Sequence, residues 1–503
     1  MSNVIFVNLR FLDKLRVSGN ATTQFHSQTE MTFDSIKQNI QEYDPVEIIL
    51  SCYNVLDEYK EETLPVWSIL LLIKWTYQHS VVKDSYKPLT DKDYSDLVNS
   101  IYNFNQEHIS NFIHDGKIEK AFHILYHQQF YLQKSVYKEI FETQLKLYHS
   151  IKGKYDIGNS FFTKTKLTVL EFLKISQVFW LYINIGVLKG KELKFNGYYD
   201  KNFLKITSEL FGREKVLSYL KLLTLNPQNP VSDINVFKRG IQREDLQIVE
   251  TTFFVMFPFQ IVRDNVKLIH ESVFKHTINY YIYDYLKSTD DSFTTEFGYR
   301  LEKYVGLGLK EMKINFKNET ELKKQLPKKS PIVDYFISEQ NIYIECKATE
   351  LQPYPSVNPL DDLLINSLKS SLFKAYFEQF IPVAKTVTPN TENWGIIITY
   401  KEFYWSTFTE LYNIGKDQYS SANDFTFMPY DNVFIIDIYT WDKIVQIVKD
   451  KKATLLEILK VAKNNNSKQE TSKQLFNMHL DIYNIYTLDL DYLKDEHVLL
   501  DLK

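Results

Sequence analysis

Apolar positions recur at helical spacing from Met1 to about Lys287, and from about Met312 they come in short β-rich runs cut by turn residues. Helices are predicted at Pro65 to Gln78, which carries Trp67, Leu70, Leu71 and Trp75, at Ile118 to Ile151, and at Asp264 to Lys287. No fixed repeat of a solenoid kind is present. Phe297, Leu301, Tyr304 and Val305 then define the buried stripe of one more helix, with Glu302 at its margin. Met312 to Phe316 reads as a short first strand. Pro331 to Ile337 and Ile342 to Lys347 read as an antiparallel hairpin closed by Ser338-Glu-Gln-Asn341. Ala348 to Pro359, with Pro353, Pro355 and Pro359, predicts a non-helical loop, and Leu360 to Phe380 a helix with Leu364, Leu368 and Leu372 on one face. Trp394 to Tyr400 and Val433 to Tyr439 are near-continuous apolar runs, the pattern of strands buried on both faces.

The expected fold class is therefore mixed α+β. A mainly α-helical half, residues 1–287, precedes an α/β core with a mixed central sheet, residues 288–450, and a C-terminal helix and tail, residues 451–503, packs back on that core. Lys463 to Gln474 reads as a flexible link.

The hairpin carries the chemistry. If Ile337 pairs with Ile342, Asp334 stands opposite Glu345. Alternation puts Val333, Tyr335, Ile337, Ile342, Ile344 and Cys346 on one apolar face, and Asp334, Glu345 and Lys347 on the other. Directly opposed Cβ atoms lie ~4.5–5.5 Å apart, where like charges destabilise a sheet unless something neutralises them. A divalent cation would do so: two carboxylates with a backbone carbonyl such as that of Cys346 make a hard oxygen site suited to Mg²⁺. Lys347, on the same face, could orient a water or steady charge on a phosphate.

Asp334…Glu345-Cys346-Lys347 resembles the motif of the PD-(D/E)xK nuclease superfamily, whose fold is restriction-endonuclease-like, with Val333 where many members have Pro. Glu-x-Lys alone recurs at Glu58, Glu192, Glu311 and Glu321, so the specificity lies in the hairpin context. The resemblance covers about Ser288 to Asp450. It implies Asp334, Glu345, the Cys346 carbonyl and Glu302 around Mg²⁺, with Mn²⁺ able to substitute, and Lys347 beside the attacked phosphate. It implies Lys369, Lys374 and Gln379 of the following helix as substrate-side residues, and in-line attack that expels the 3′ oxygen. The implied activity is a metal-dependent endonuclease, on DNA before RNA. A large helical half fused to such a core looks like a bacterial restriction or anti-phage defence effector.

Composition narrows this only modestly. At 503 residues with 44% hydrophobic and 24% charged positions the chain is ordinary globular protein of more than one core, and its net charge of −4 excludes a protein that coats nucleic acid by bulk charge. A local basic run, Lys323, Lys324, Lys328 and Lys329, lies just before the hairpin. Cys52 and Cys346 are the only cysteines, so neither a disulfide framework nor a structural zinc site is indicated. The start Met1-Ser-Asn-Val has no signal-peptide pattern and the longest apolar run, Val178 to Leu188, is short, which predicts a cytoplasmic protein without a membrane partner. A second copy or a partner protein remains compatible with the sequence.

Two constellations in the first half compete. His123 and His127 share a helix face but lack a third ligand, and read as core or surface histidines. Arg263-Asp264 and His270 superficially resemble the Arg…His motif of HEPN ribonucleases, which cut RNA without metal. The remaining alternative is a nuclease-like fold kept for binding or scaffolding without catalysis.

Overall fold

The computed structural model describes residues 32–58, 66–128, 138–188, 197–226, 248–262, 265–358, 360–405, 407–468 and 470–494. Pro65, Arg263, Asp264 and Pro359 lie outside them, as do parts of the Ile118–Ile151 and C-terminal predictions.

The first half is mainly helical, as its spacing predicts. Its helices are α1 (Phe33–Ile40), α2 (Pro45–Glu58), α3 (Val66–His79), α4 (Asp91–His114), α5 (Ile118–Gln128) and α6 (Lys138–Leu145). After a π-helical turn at Lys146–Ser150 come α7 (Ile157–Thr165), α8 (Val169–Leu188), α9 (Lys201–Phe211), α10 (Arg213–Leu223) and α11 (Glu271–Thr289). Helix α4 shows the local logic. Thr90 and Asp93 form a capping box at its start, and Tyr94, Leu97, Val98, Ile101 and Phe104 bury one stripe.

A small sheet interrupts this half, which the sequence reading did not anticipate. Strands β1 (Tyr198–Tyr199), β2 (Phe259–Val262) and β3 (Asn265–Leu268) pair antiparallel in the order β1-β3-β2. The helix expected from Asp264 begins only at Glu271, with the His270 ring nitrogen capping Ser272 N–H at 3.2 Å. Two four-residue apolar-rich runs on either side of a polar pair favour a hairpin over a helix start. Residues 265–268 being strand, His270 is not on a helix face shared with position 263.

The second half is built on a five-stranded sheet in chain order: β4 (Lys317–Asn318), β5 (Tyr335–Ile337), β6 (Ile342–Lys347), β7 (Trp394–Thr399) and β8 (Val433–Asp437). Strands β4, β5 and β6 are antiparallel, and β6, β7 and β8 are parallel. The predicted register holds, with Ile337 opposite Ile342. Strands β7 and β8 are buried along their whole length. Helix α12 (Phe293–Glu311) precedes the sheet, and α13 (Glu319–Lys323) joins β4 to β5. Between β6 and β7 run α14 (Pro353–Val357), α15 (Asp361–Leu368), a π-helix at Lys369–Phe380 and α16 (Ile381–Val387). Helix α17 (Thr409–Gly415) lies between β7 and β8, and α18 (Ile438–Lys449), α19 (Leu455–Asn466) and α20 (Asp491–Lys494) follow.

Several boundaries differ from expectation for identifiable reasons. The first strand is two residues at Lys317–Asn318, because α12 runs on to Glu311 and Lys313 turns the chain with φ of 56°. Pro353 starts a short helix where a loop was expected, its fixed φ suiting a first helical turn. The flexible link expected from Lys463 is helical to Asn466. Val333 precedes the strand, and the bend at Asp334 turns it into the opposite core, beside Phe336 and Tyr343.

Two apolar cores sandwich the sheet. Ile337, Ile342, Ile344, Ile396, Ile398 and Ile436 join a core continuous with the first half and α12, while Phe336, Tyr343, Ile397 and Ile435 pack on the π-helix. The C-terminal segment does return to this core: Asp442 of α18, fully buried, accepts from Tyr304 of α12 at 2.9 Å, Tyr492 of α20 at 2.6 Å and Thr143 of α6 at 3.2 Å. Burial pushes its pKa up to about 7, with these hydroxyls pulling the other way. A folded-state pKa raised above the unfolded value means a contribution fully present below about pH 4 and lost as pH rises through 7. At about 1.4 kcal/mol per pKa unit the span is on the order of 4 kcal/mol. Asp442→Asn is therefore expected to flatten the fall in thermal midpoint between pH 5 and pH 8. A variant whose pH profile parallels the wild type would show that Asp442 is not the titrating group.

Candidate functional site

The site is assembled where the β5–β6 hairpin meets α12 and the π-helix. The chain bends at Asp334 just before β5, and the register Tyr335 to Ile344 brings Asp334 across from Glu345. Their bonds cross the hairpin in both directions. Asp334 N–H donates to Glu345 Oε2 at 3.3 Å, and Cys346 N–H donates to Asp334 Oδ2 at 2.7 Å. Lys347 Nζ reaches Glu345 Oε1 at 2.6 Å, and Gln379 Nε2 reaches the same oxygen at 2.8 Å. Gln379 also accepts from Lys347 at 3.1 Å and donates to the Ile332 carbonyl at 2.8 Å, which locks the hairpin to the π-helix.

Helix α12 closes the other side. Tyr335 Oη donates to the Glu302 carbonyl at 2.9 Å, a contact that requires Gly306, since a Cβ there would lie 2.6 Å from Tyr335 Oη. The Glu302 carboxylate lies within electrostatic reach of Glu345 and Asp334. Burial raises its pKa, and the charges of Glu319 and Glu345 raise it further. Glu319, at the start of α13, is a fourth acid that sequence spacing did not single out.

Burial and mutual repulsion dominate the electrostatics. Asp334 is pushed well above the usual carboxylate range by burial and then by Glu345, against the Cys346 N–H bond and Lys347. Glu345, only 3% exposed, is raised by burial, with Lys347 and Gln379 opposing. A cluster held this way resists carrying its full negative charge in the absence of a cation, since one lysine offsets the repulsion only in part. Its donors are hard oxygens, the chemistry that Mg²⁺ or Mn²⁺ takes. Among the described residues no three His, Cys, Asp or Glu side chains converge as a metal-binding group, so an ion held here would draw on water and backbone oxygens besides Asp334 and Glu345.

No family model, no curated protein and no solved structure matches this chain.

Of the residues singled out from sequence, Asp334, Glu345, Lys347 and Gln379 form one hydrogen-bonded group, and Glu302 flanks it. Lys369 and Lys374 are exposed on the π-helix and take no part in those bonds. The paired histidines go separate ways. His127 Nε2 meets Ser356 Oγ at 2.8 Å and burial pushes its pKa down to about 3, while His123 Nε2 lies 3.8 Å from Glu410. They join α5 to the second half through different partners.

One charged group was not foreseen. Lys401 bonds Asp284 at 2.5 Å and Glu350 at 2.9 Å, and Glu350 also pairs with Lys287. Against the effect of burial, Lys401 and Lys287 hold Glu350 down to about 2. Glu350 follows Lys347 by three residues, but its partners are remote in sequence, so local spacing carried no signal.

Neutralising one of the two opposed acids should relieve the repulsion. Asp334→Asn keeps an oxygen for the Cys346 N–H and is expected to raise the thermal midpoint at pH 8, by about 1–3 kcal/mol of stability. The difference should shrink as pH falls and the wild-type carboxyl takes up its proton. A variant less stable than wild type at pH 8 would mark the acids as a satisfied ion-pair network.

Proposed function

We propose that this protein is a metal-dependent hydrolase of nucleic-acid phosphodiester bonds, with DNA its first substrate. The observation that carries the reading is the pair of opposed carboxylates, half-buried Asp334 and buried Glu345, whose pKa values are raised while Lys347 and Gln379 bond to one of them. Acids perturbed by burial together with a specific charge partner are the pattern that functional sites use.

In this reading Asp334 and Glu345 would hold the cation, water and backbone oxygens would fill the rest of its shell, and Glu302 would orient that shell from its flank. The ion would supply Lewis acidity and lower the pKa of a bound water. Gln379 fixes the rotamer of Glu345 and the position of the Lys347 ammonium. Lys347 then orients the attacking water and stabilises charge growing on the phosphate oxygens. The helical half is the sensing or recognition part, in a defence or restriction role inside the cytoplasm.

A second reading, a nuclease-like fold that binds without cutting, draws on a different observation: Glu345 is already compensated by Lys347 and Gln379, and no three metal-ligand side chains converge among the described residues. Incubation with plasmid, linear duplex, single-stranded DNA and RNA in Mg²⁺, Mn²⁺ or EDTA separates the two. Cleavage that needs metal and falls about 10²–10⁴-fold in Glu345→Ala and in Lys347→Ala is expected. Cleavage that survives EDTA and both substitutions would sink the hydrolase assignment to this hairpin. So would absence of cleavage together with a wild-type thermal midpoint that neither ion raises.

A further inference from the structure

The basic run ahead of the hairpin is an organised turn. Ser330 N–H bonds the Pro327 carbonyl at 3.1 Å, so Lys328 and Lys329 occupy the two central positions of the turn. Lys329 has φ of 71°, the left-handed region where glycine or asparagine is the usual choice. Three other left-handed lysines, Lys166, Lys313 and Lys451, each follow the end of a helix, where such a residue is a common cap. Lys329 caps nothing, and a long charged side chain stands there against backbone preference. Strain kept at a tip suggests a task for the side chain.

The charge of this turn is also uncompensated. The neighbouring acids are engaged: Glu319 pairs with Lys323, and Glu321 accepts from the Asn318 N–H at 2.9 Å. Lys324, Lys328 and Lys329 are exposed and have no ion-pair partner among the described residues. The base of the turn is rigid, because Leu322 is fully buried, Leu326 and Ile332 pack on the second core, and the Ile332 carbonyl accepts from Gln379. Through Gln379 the turn is tied to Glu345 itself. Asp334 follows Lys329 by five positions, at most roughly 18 Å of chain. That reach spans a few nucleotides along a backbone.

Resting on the reading above, we propose that the Pro327–Ser330 turn, with Lys324, Lys328 and Lys329, grips the phosphate backbone of a nucleic-acid strand beside the position held at Asp334 and Glu345. The contact is with phosphates, so it is indifferent to base sequence and sensitive to salt.

The test measures binding in the Glu345→Gln background, so that cleavage plays no part. The probes are fluorescent 20-mer duplex DNA, single-stranded DNA and RNA of mixed sequence, titrated across a range of salt. Lys324→Gln/Lys328→Gln/Lys329→Gln is expected to lose at least about tenfold in affinity near 0.1 M salt and to lower the slope of log K against log salt by about 2–3. A control with the same change of net charge, Lys201→Gln/Lys205→Gln/Lys221→Gln, should leave both nearly unchanged. Lys329→Gly should weaken binding while raising the thermal midpoint, an opposition that a purely structural lysine would not produce. Equal affinity and slope in the turn variant and its parent would overturn the proposal, as would equal losses in the control. Failure of all three probes to bind the Glu345→Gln parent would overturn it together with the nucleic-acid reading. Salt-dependent binding lost in the turn variant, in a protein that cuts nothing, would leave the turn assignment standing and remove only the hydrolase.

Discussion

The Arg300 guanidinium, 2% exposed, is used wholly inside the protein. It bonds Glu296 at 2.9 Å, the Leu147 and Tyr148 carbonyls at 3.1 Å each and the Tyr155 carbonyl at 2.8 Å. Glu296 in turn accepts from the Lys154 and Tyr155 N–H groups, and a Cβ at Gly153 would sit 1.6 Å from its Oε1. A buried ion pair earns its place only when its remaining donors and acceptors are met, and here the backbone of a loop from the helical half meets them. The consequence is a fixed position for α12. Two residues beyond Arg300 that helix presents Glu302 to the site, then Tyr304 to Asp442, then the space at Gly306 into which Tyr335 fits. The hairpin acids are placed against a helix that the first half holds in register.

What could be read from sequence was whatever a short-range period encodes. Alternation in Ile342 to Lys347 gave the register of β5 on β6 and hence the facing of Asp334 and Glu345, because a slip of one residue would have exchanged the two faces and set Glu345 into the core that Ile342 and Ile344 join. The runs of β7 and β8 announced two-sided burial because their apolar positions are continuous and do not alternate. Val333 escaped because alternation fails where the chain bends. The small β1–β3 sheet escaped because its strands are two to four residues long and β1 lies far from the β2–β3 hairpin in sequence. Glu302 at the margin of its stripe was visible, whereas Glu319 acquires significance only through the folded approach of α13 to α12.

Tertiary charge pairing was the least legible layer. The chain Lys287, Glu350, Lys401, Asp284 joins α11 to the segments leaving β6 and β7, and Tyr283 Oη adds a bond to the Ala348 carbonyl at 3.2 Å. Lys401 and Glu350 each answer two neighbours, so loss of Lys401 takes from Asp284 the cation it bonds and loss of Glu350 takes from Lys287 the acid it bonds, a larger loss than a pair's net worth. This constrains the stretch that follows Lys347 from its far side, while Gln379 constrains Lys347 from the π-helix.

Lys347 is therefore held at both ends of its immediate surroundings, by groups from two layers of the fold. An ammonium on a flexible stem is ordinarily a poor positional element, because about 2 kcal/mol of rotamer entropy opposes any single geometry. Bonds to Glu345 and Gln379, each itself fixed by a second bond, reduce that cost in advance. The same enclosure raises the pKa of the opposed acids, so the ordering of the lysine and the perturbation of the acids beside it have one origin: a hairpin pressed between α12 and the π-helix, with its polar face turned into the seam.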